Sequence, residues 1–191
     1  GPWSDIVLGL LNGRYRDCEV ILSKGVQIIT RSLTLRHAVA IPSRYKDPDA
    51  VASRGFRHYF ITPWRNHSAI GTADVMYRGN PDDFKITEEE IEALIREINE
   101  SYPGAGLKRE GVKLAFGGLR PVGKLARRYQ IYDHQKVDGV AGLITAIGVK
   151  YTEARILAEK IIDLVFMKLR KGMPKALTAA TPLHGGQIKR F

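Results

Sequence analysis

The chain has 191 residues, 44% hydrophobic and 26% charged, close to the average folded domain, which excludes a disordered tail, a collagen-like fibre and a disulfide-bonded miniprotein. Its one cysteine, Cys18, supplies neither an internal disulfide nor a CxxC metal site, so a reducing compartment is the default. With 30 Lys and Arg against 20 Asp and Glu, the formal charge of +10 attracts anions without choosing among phosphorylated metabolites, nucleic acid and acidic lipid headgroups.

No basic segment ahead of an apolar one marks a signal peptide, and no internal repeat or low-complexity tract interrupts the chain. The first part reads as short strands with turn signals. Cys18–Ser23 alternates loosely, Lys24-Gly25 reads as a turn, and Val26–Thr30 and Leu35–Ile41 follow, a pattern that predicts a hairpin. Pro42 to Gly55 is polar with two prolines and reads as a surface loop. Phe56–Thr62 and Ser68–Thr72 are strands, with Pro63–His67 as a tight turn between them.

A helix follows. Thr87 with Glu90 three residues on is a capping box, and Glu88, Glu89 and Glu90 sit where the helix dipole favours anions. Ile91, Leu94, Ile95 and Ile98 share one face, and Pro103-Gly104 ends the helix. Val112–Phe116 and Tyr129–Tyr132 are further strands, and Ala141–Ile147 is an apolar run suited to a buried strand but far short of the ~20 residues that span a bilayer. Thr152 to about Lys171 is a second helix, with Ile156, Leu157, Ile161, Leu164, Val165 and Leu169 turned one way. Gly172 and Pro174 end it, and the remainder reads as a linker. The fold class is α+β: a largely antiparallel (mixed) sheet with covering helices.

Several segments, taken in order, resemble the FAD-dependent glycerol-3-phosphate dehydrogenases, in the wider group that includes D-amino-acid oxidase. Gly1-Pro2-Trp3-Ser4-Asp5 resembles the end of a flavin-contacting segment. Ser23-Lys24-Gly25-Val26 resembles the family's SKGxH, with Gln27 at the His position. Pro63-Trp64 followed by Ile70–Asp74, then Tyr77–Pro81, Gly118–Pro121, Gly148–Thr152 and Thr181–Gly186 match further family motifs. The family opens with a dinucleotide-binding unit carrying Gly-x-Gly-x-x-Gly, and no such motif occurs here. The resemblance therefore implies an internal piece of a flavoenzyme. Residues 1–15 would close a flavin-domain segment, 16–140 form the substrate domain, 141–171 return a strand and helix to the flavin domain, and 172–191 link onward. Alone, such a piece is expected to be inactive and not to retain FAD, and to expose the apolar faces of Ala141–Ile147 and of the last helix.

Arg120 follows an apolar strand and two glycines, which let backbone approach a ligand closely. Its guanidinium suits a carboxylate, a phosphate or a developing oxyanion, or alternatively a surface ion pair with an Asp. The resemblance places Arg120 at the substrate as the catalytic residue, with Gly118 and Leu119 against the cofactor, and places Arg127 at the substrate phosphate. Gly148, Val149, Lys150, Tyr151 and Thr152 join a strand to a helix N-terminus. The resemblance makes that turn a flavin contact, whereas Thr152 as a plain N-cap is the other reading. The five histidines show no metal-site spacing and read as structural or exposed, Asp74 as a turn residue and Trp64 as packing.

The implied activity is oxidation of glycerol 3-phosphate with FAD as cofactor and quinone or oxygen as electron acceptor. The implied location is the cytoplasm or the inner face of the membrane, as a peripheral protein. Two other readings remain: a flavoenzyme for another 2-hydroxy acid or an amine, and a non-catalytic basic module for nucleic acid. The basic residues are spread along the chain without a nucleic-acid motif, which disfavours the last.

Overall fold

The structure, a computed structural model, describes residues 1–11, 13, 20–34, 36–46, 56–72, 75–122, 129–148 and 150–186. A short helix, α1 (Ser4–Gly9), precedes the central strand β1 (Ile21–Arg31). Then come β2 (Val39–Lys46), β3 (Phe56–Trp64), β4 (His67–Gly71) and β5 (Val75–Tyr77). Helix α2 (Glu88–Ser101) leads to β6 (Leu114–Val122). A smaller unit contains β7 (Gln130–Asp133), α3 (His134–Val137), β8 (Ile144–Ile147) and α4 (Ala154–Lys168).

The main sheet is antiparallel throughout the described residues, as the α+β reading requires. β2 pairs β3, β3 pairs β4, and β4 and β5 lie one after the other along one edge of β1, with β6 along the other. Residues alternate across a strand, so the even-numbered residues of β1 turn one way and the odd-numbered ones the other. On the even face Val26 and Ile28 join Tyr59, Ile61 and Ile70 against Ile91, Leu94, Ile95 and Ile98 of α2 to form the core. The capping box is present: Glu90 N donates to Thr87 Oγ1 at 3.4 Å, and Thr87 N donates to Glu90 Oε2 at 2.9 Å. Thr87→Ala is expected to cost about 1 kcal/mol by chemical denaturation.

Four expectations about this sheet change. Lys24-Gly25 is not a turn, because β1 runs straight through it and pairs with β6 from Ile21 to Ile29. The Lys24 ammonium is satisfied by tertiary contacts instead: Glu90 Oε1 at 2.6 Å, the carbonyl of Lys85 at 2.6 Å and the Phe84 ring at 5.3 Å. The predicted hairpin between the runs from Val26 and from Leu35 does not form, since β2 pairs with β3. Pro42 to Lys46 belongs to β2, where proline is tolerated because β2 is the sheet edge. Finally, the tight turn shrinks to Arg65-Asn66, with Pro63 and Trp64 inside β3. Pro63 lies beyond the last β2 pairing at Val39 and Ile61, so its missing N–H interrupts no ladder on that side. Trp64 is 57% exposed and is therefore not a packing residue.

The glutamate run divides as well. Glu88 takes both Arg109 donors at 2.6 and 2.7 Å, and that hydrogen bond holds its carboxyl below the usual carboxylate range.

In the smaller unit, only Ile144–Ile147 of the apolar run is a strand, paired with β7, while Ala141 and Gly142 are exposed in a turn. Ile147 is buried, whereas α4 buries no residue fully and leaves Ile156, Ile162 and Met167 about half exposed. The fully buried His134 joins the strands: its Nδ1 lies 2.5 Å from Asp138 Oδ2 and its Nε2 2.8 Å from Thr145 Oγ1. Lys168 ties α4 to this unit through Asp133 Oδ1 at 2.6 Å and Gln135 Oε1 at 2.8 Å. That ammonium donor holds the Asp133 carboxyl below its ordinary 3.8. A lowered folded-state pKa stabilises the fold above the ordinary value and ceases to do so as pH falls through the folded one. The tie is therefore expected to persist at neutral pH and fail only in strong acid. Lys168→Met should remove that contribution from acid unfolding followed by circular dichroism; an unchanged acid midpoint would contradict the tie.

Candidate functional site

The odd-numbered face of β1, opposite α2, holds the buried Ser23, Gly25 and Ile29 and the half-buried Gln27, while the neighbouring β6 exposes Phe116 and Gly118 on the same face. Its residues form rows across the strands, because paired residues share a face. Met76, Ser23 and Arg120 make one row. Gly25 and Gly118 make the next, and Gly71, Gln27 and Phe116 a third. Flanking it stand Phe60 and Leu114, 53% and 57% exposed.

Arg120 is half-buried inside β6, not beyond a strand end, since β6 continues through both glycines to Val122. Its Nη2 donates to Ser23 Oγ at 3.3 Å, and Ser23 is fully buried. Ser23 was not among the residues singled out by sequence, because a serine 97 positions away gives no local signal beyond its place in the Ser-Lys-Gly motif. Ser23→Ala is expected to loosen the guanidinium at a cost of about 1 kcal/mol, roughly a fivefold weaker affinity for an anion bound there. An unchanged value would remove Ser23 from the site.

Gly118 lies on the same face as Arg120 and is exposed. Leu119 does not: it pairs with Lys24 and turns to the helix-covered face, so its side chain is not part of this surface. Arg127 and Val149 lie outside the described residues, as do Cys18, Asp74 and Arg128.

The turn from β8 to α4 is a separate feature of the smaller unit. A Cβ on Gly148 would come within 3.2 Å of Leu157 Cδ2, so glycine there lets the strand end close on the helix. Lys150 is exposed with Glu153 Oε1 at 3.5 Å, and Tyr151 is 96% exposed. Thr152 is not the N-cap: residues Tyr151–Glu153 form a single 3-10 turn, and α4 starts at Ala154 after Glu153 with no side-chain cap. Among the described residues no cluster of His, Cys, Asp or Glu could hold a metal ion, and no helix is long and apolar enough to cross a membrane. Of the histidines, His134 is structural; His37, His58 and His184 are exposed and His67 is half-buried.

Chemically, this face offers one planar cation beside bare backbone. Such a cation can hold a phosphate or carboxylate through paired hydrogen bonds. Gly118, exposed and without a side chain, lets a flat or small group come close, whereas its partner Gly25 is buried.

Comparison with known proteins gives this geometry a context. The chain is 34% identical over 198 residues to a glycerol-3-phosphate dehydrogenase of Synechocystis sp., covering 98% of this chain and 35% of that protein. It is 27% identical to an aerobic glycerol-3-phosphate dehydrogenase of Staphylococcus haemolyticus, covering 98% of this chain and 34% of the relative. Its fold superposes with a TM-score of 0.73, at 26% identity, on the structure of glycerol-3-phosphate dehydrogenase from Bacillus halodurans complexed with FAD, covering 94% of this chain and 33% of that one. The chain thus spans about a third of the length of these relatives. Residues 1–161 match the FAD dependent oxidoreductase family, which covers the main sheet, Arg120 and most of α4, and the chain belongs to that family.

Proposed function

We propose that this chain is the substrate-side sheet of an enzyme that oxidises glycerol 3-phosphate to dihydroxyacetone phosphate. The observation that carries this reading is Arg120, held by Ser23 on the sheet face opposite α2, beside the exposed Gly118. Bound FAD would supply the hydride acceptor for the substrate carbon that carries the hydroxyl, with quinone or oxygen as the class of final electron acceptor. Exposed Gly118, where a Cβ would meet nothing within 4 Å, leaves room for a planar cofactor edge beside Arg120. Arg120 binds the anionic end of the substrate and orients it. In the smaller unit, Gly148, Lys150, Tyr151 and Thr152, together with Arg127 and Val149, are the remaining candidates for cofactor and phosphate contact. A boundary at residue 140 would separate β7 from its partner β8, so we assign the main sheet with α2 to the substrate domain, β7 to α4 to the part returning toward the flavin, and the pyrophosphate-holding unit to sequence outside these 191 residues. The net charge of +10 suits a phosphorylated substrate and a peripheral position on the inner face of the membrane.

Turnover assays of the FAD-loaded protein carrying this chain separate the readings. Glycerol 3-phosphate is expected to turn over, and glycerol, which lacks the phosphate, to be a poor substrate. Equal rates with both would remove the phosphate from recognition. Preference for a 2-hydroxy acid or an amine would keep the flavoenzyme and change its substrate.

A further inference from the structure

The charge of the chain is not evenly spread. From Leu164 to Phe191 there are six Lys and Arg and no Asp or Glu, so this stretch carries more than half of the net +10. Its described part begins where α4 ends. Arg170, with φ 51°, takes the left-handed position that closes the helix: its N–H donates to the Met167 carbonyl and that of Lys171 to the Phe166 carbonyl, both at 3.1 Å. The chain then returns along α4, since Arg155 Nη2, in the first turn of the helix, donates to the Thr181 carbonyl at 2.9 Å.

The residues around this helix end combine two properties. Arg170, Lys171 and Lys175 are exposed, and among the described residues none of them has an acidic partner. Met167, Leu169, Met173 and Leu177, interspersed with them, are each more than half exposed. Lys168 stands apart, since it is tied to Asp133. The 15 residues of α4 set this patch roughly 22 Å from the Gly148–Thr152 turn, so it is separate from the site described above.

The two properties together select a partner. A nucleic acid would satisfy the cations but leave the methionines and leucines in water. Another folded part of the same enzyme would bury the apolar side chains, yet it would also strip water from three uncompensated cations, and charged residues are depleted from the cores of such interfaces. The surface of an anionic bilayer meets both needs, with phosphate headgroups for the cations and the acyl boundary just beneath for the apolar side chains.

We propose that Met167 to Leu177 is a membrane-docking surface that takes the anionic headgroups of a lipid bilayer. This rests on the peripheral position proposed above and names the surface that makes the contact.

The test sediments the FAD-loaded protein carrying this chain with vesicles of phosphatidylcholine alone or of equal parts phosphatidylcholine and phosphatidylglycerol. The protein should sediment with the mixed vesicles and not with phosphatidylcholine alone, and added salt should release it. Arg170→Glu combined with Lys171→Glu should weaken that binding about 30-fold or more, and Met173→Asp about 10-fold. Flavin absorbance, melting temperature and turnover with a soluble electron acceptor should stay unchanged in these variants. Vesicle binding that survives the substitutions overturns the assignment of this surface and leaves the peripheral position intact. No binding to either vesicle overturns both, and retention by DNA in that case gives the cations to nucleic acid. Loss of flavin or a depressed melting temperature in the variants makes the segment an internal contact of the enzyme and also overturns the proposal. Turnover of glycerol 3-phosphate by the unsubstituted protein tests the catalytic reading separately.

Discussion

Arg120→Ala is expected to lower kcat/KM for glycerol 3-phosphate by about 30- to 1000-fold, corresponding to roughly 2–4 kcal/mol for a lost charge-assisted contact to an ionic substrate. Arg120→Lys should recover only part of this, because an ammonium keeps the charge but loses the planar paired donors. Both variants should fold and hold FAD. The guanidinium lies on the sheet face opposite α2, whereas the core formed by Val26, Ile28 and Ile61 against α2 lies on the other. With glycerol as substrate, the two variants and the unsubstituted protein should differ little, since there is no phosphate to bind. If Arg120→Ala unfolds or loses flavin instead, Arg120 is a structural residue. If it keeps near-normal kcat/KM, the site lies elsewhere.

The second large effect is on stability. His134→Ala removes a fully buried side chain that contacts both Asp138 and Thr145. It takes the imidazole partner from a buried carboxylate and leaves a cavity, and about 2–4 kcal/mol is the expected loss. The loss should appear in denaturant unfolding of the smaller unit. Loss below about 0.5 kcal/mol, the usual range of surface substitutions, would show that the His134 hydrogen bonds contribute nothing net. His134→Asn tests polarity separately from shape, since an amide can replace one of the two hydrogen bonds but not both.

Local signals made some of this architecture legible. The capping box of α2 and its four buried apolar residues lie within a dozen positions of one another, so sequence alone placed them. β1 was harder because Lys24-Gly25 carries the chemistry of a turn. What keeps it extended is Glu90, 66 residues later, whose carboxylate neutralises Lys24, and β6, which pairs with it. In the same way Gly117-Gly118 reads as a strand end, yet one glycine is demanded by the neighbouring Gly25 carbonyl. Arg120 was recognisable from its motif, but its face and its Ser23 partner depend on strand register, which no local pattern encodes. Leu119 shows the same limit: one residue of offset sends it to the opposite face. At α4, sequence placed the helix but not its start, because an intervening 3-10 turn took Thr152 out of the capping position.

Arg120, in the role proposed for it, holds a phosphorylated alcohol beside a bound flavin. Anaerobic mixing of the FAD-loaded protein with glycerol 3-phosphate tests this most directly. The flavin absorbance should bleach with glycerol 3-phosphate, much more slowly with glycerol, and slowly with glycerol 3-phosphate when Arg120 is Ala. Flavin that stays oxidised in the unsubstituted protein at saturating glycerol 3-phosphate, or that bleaches equally fast in Arg120→Ala, would contradict it.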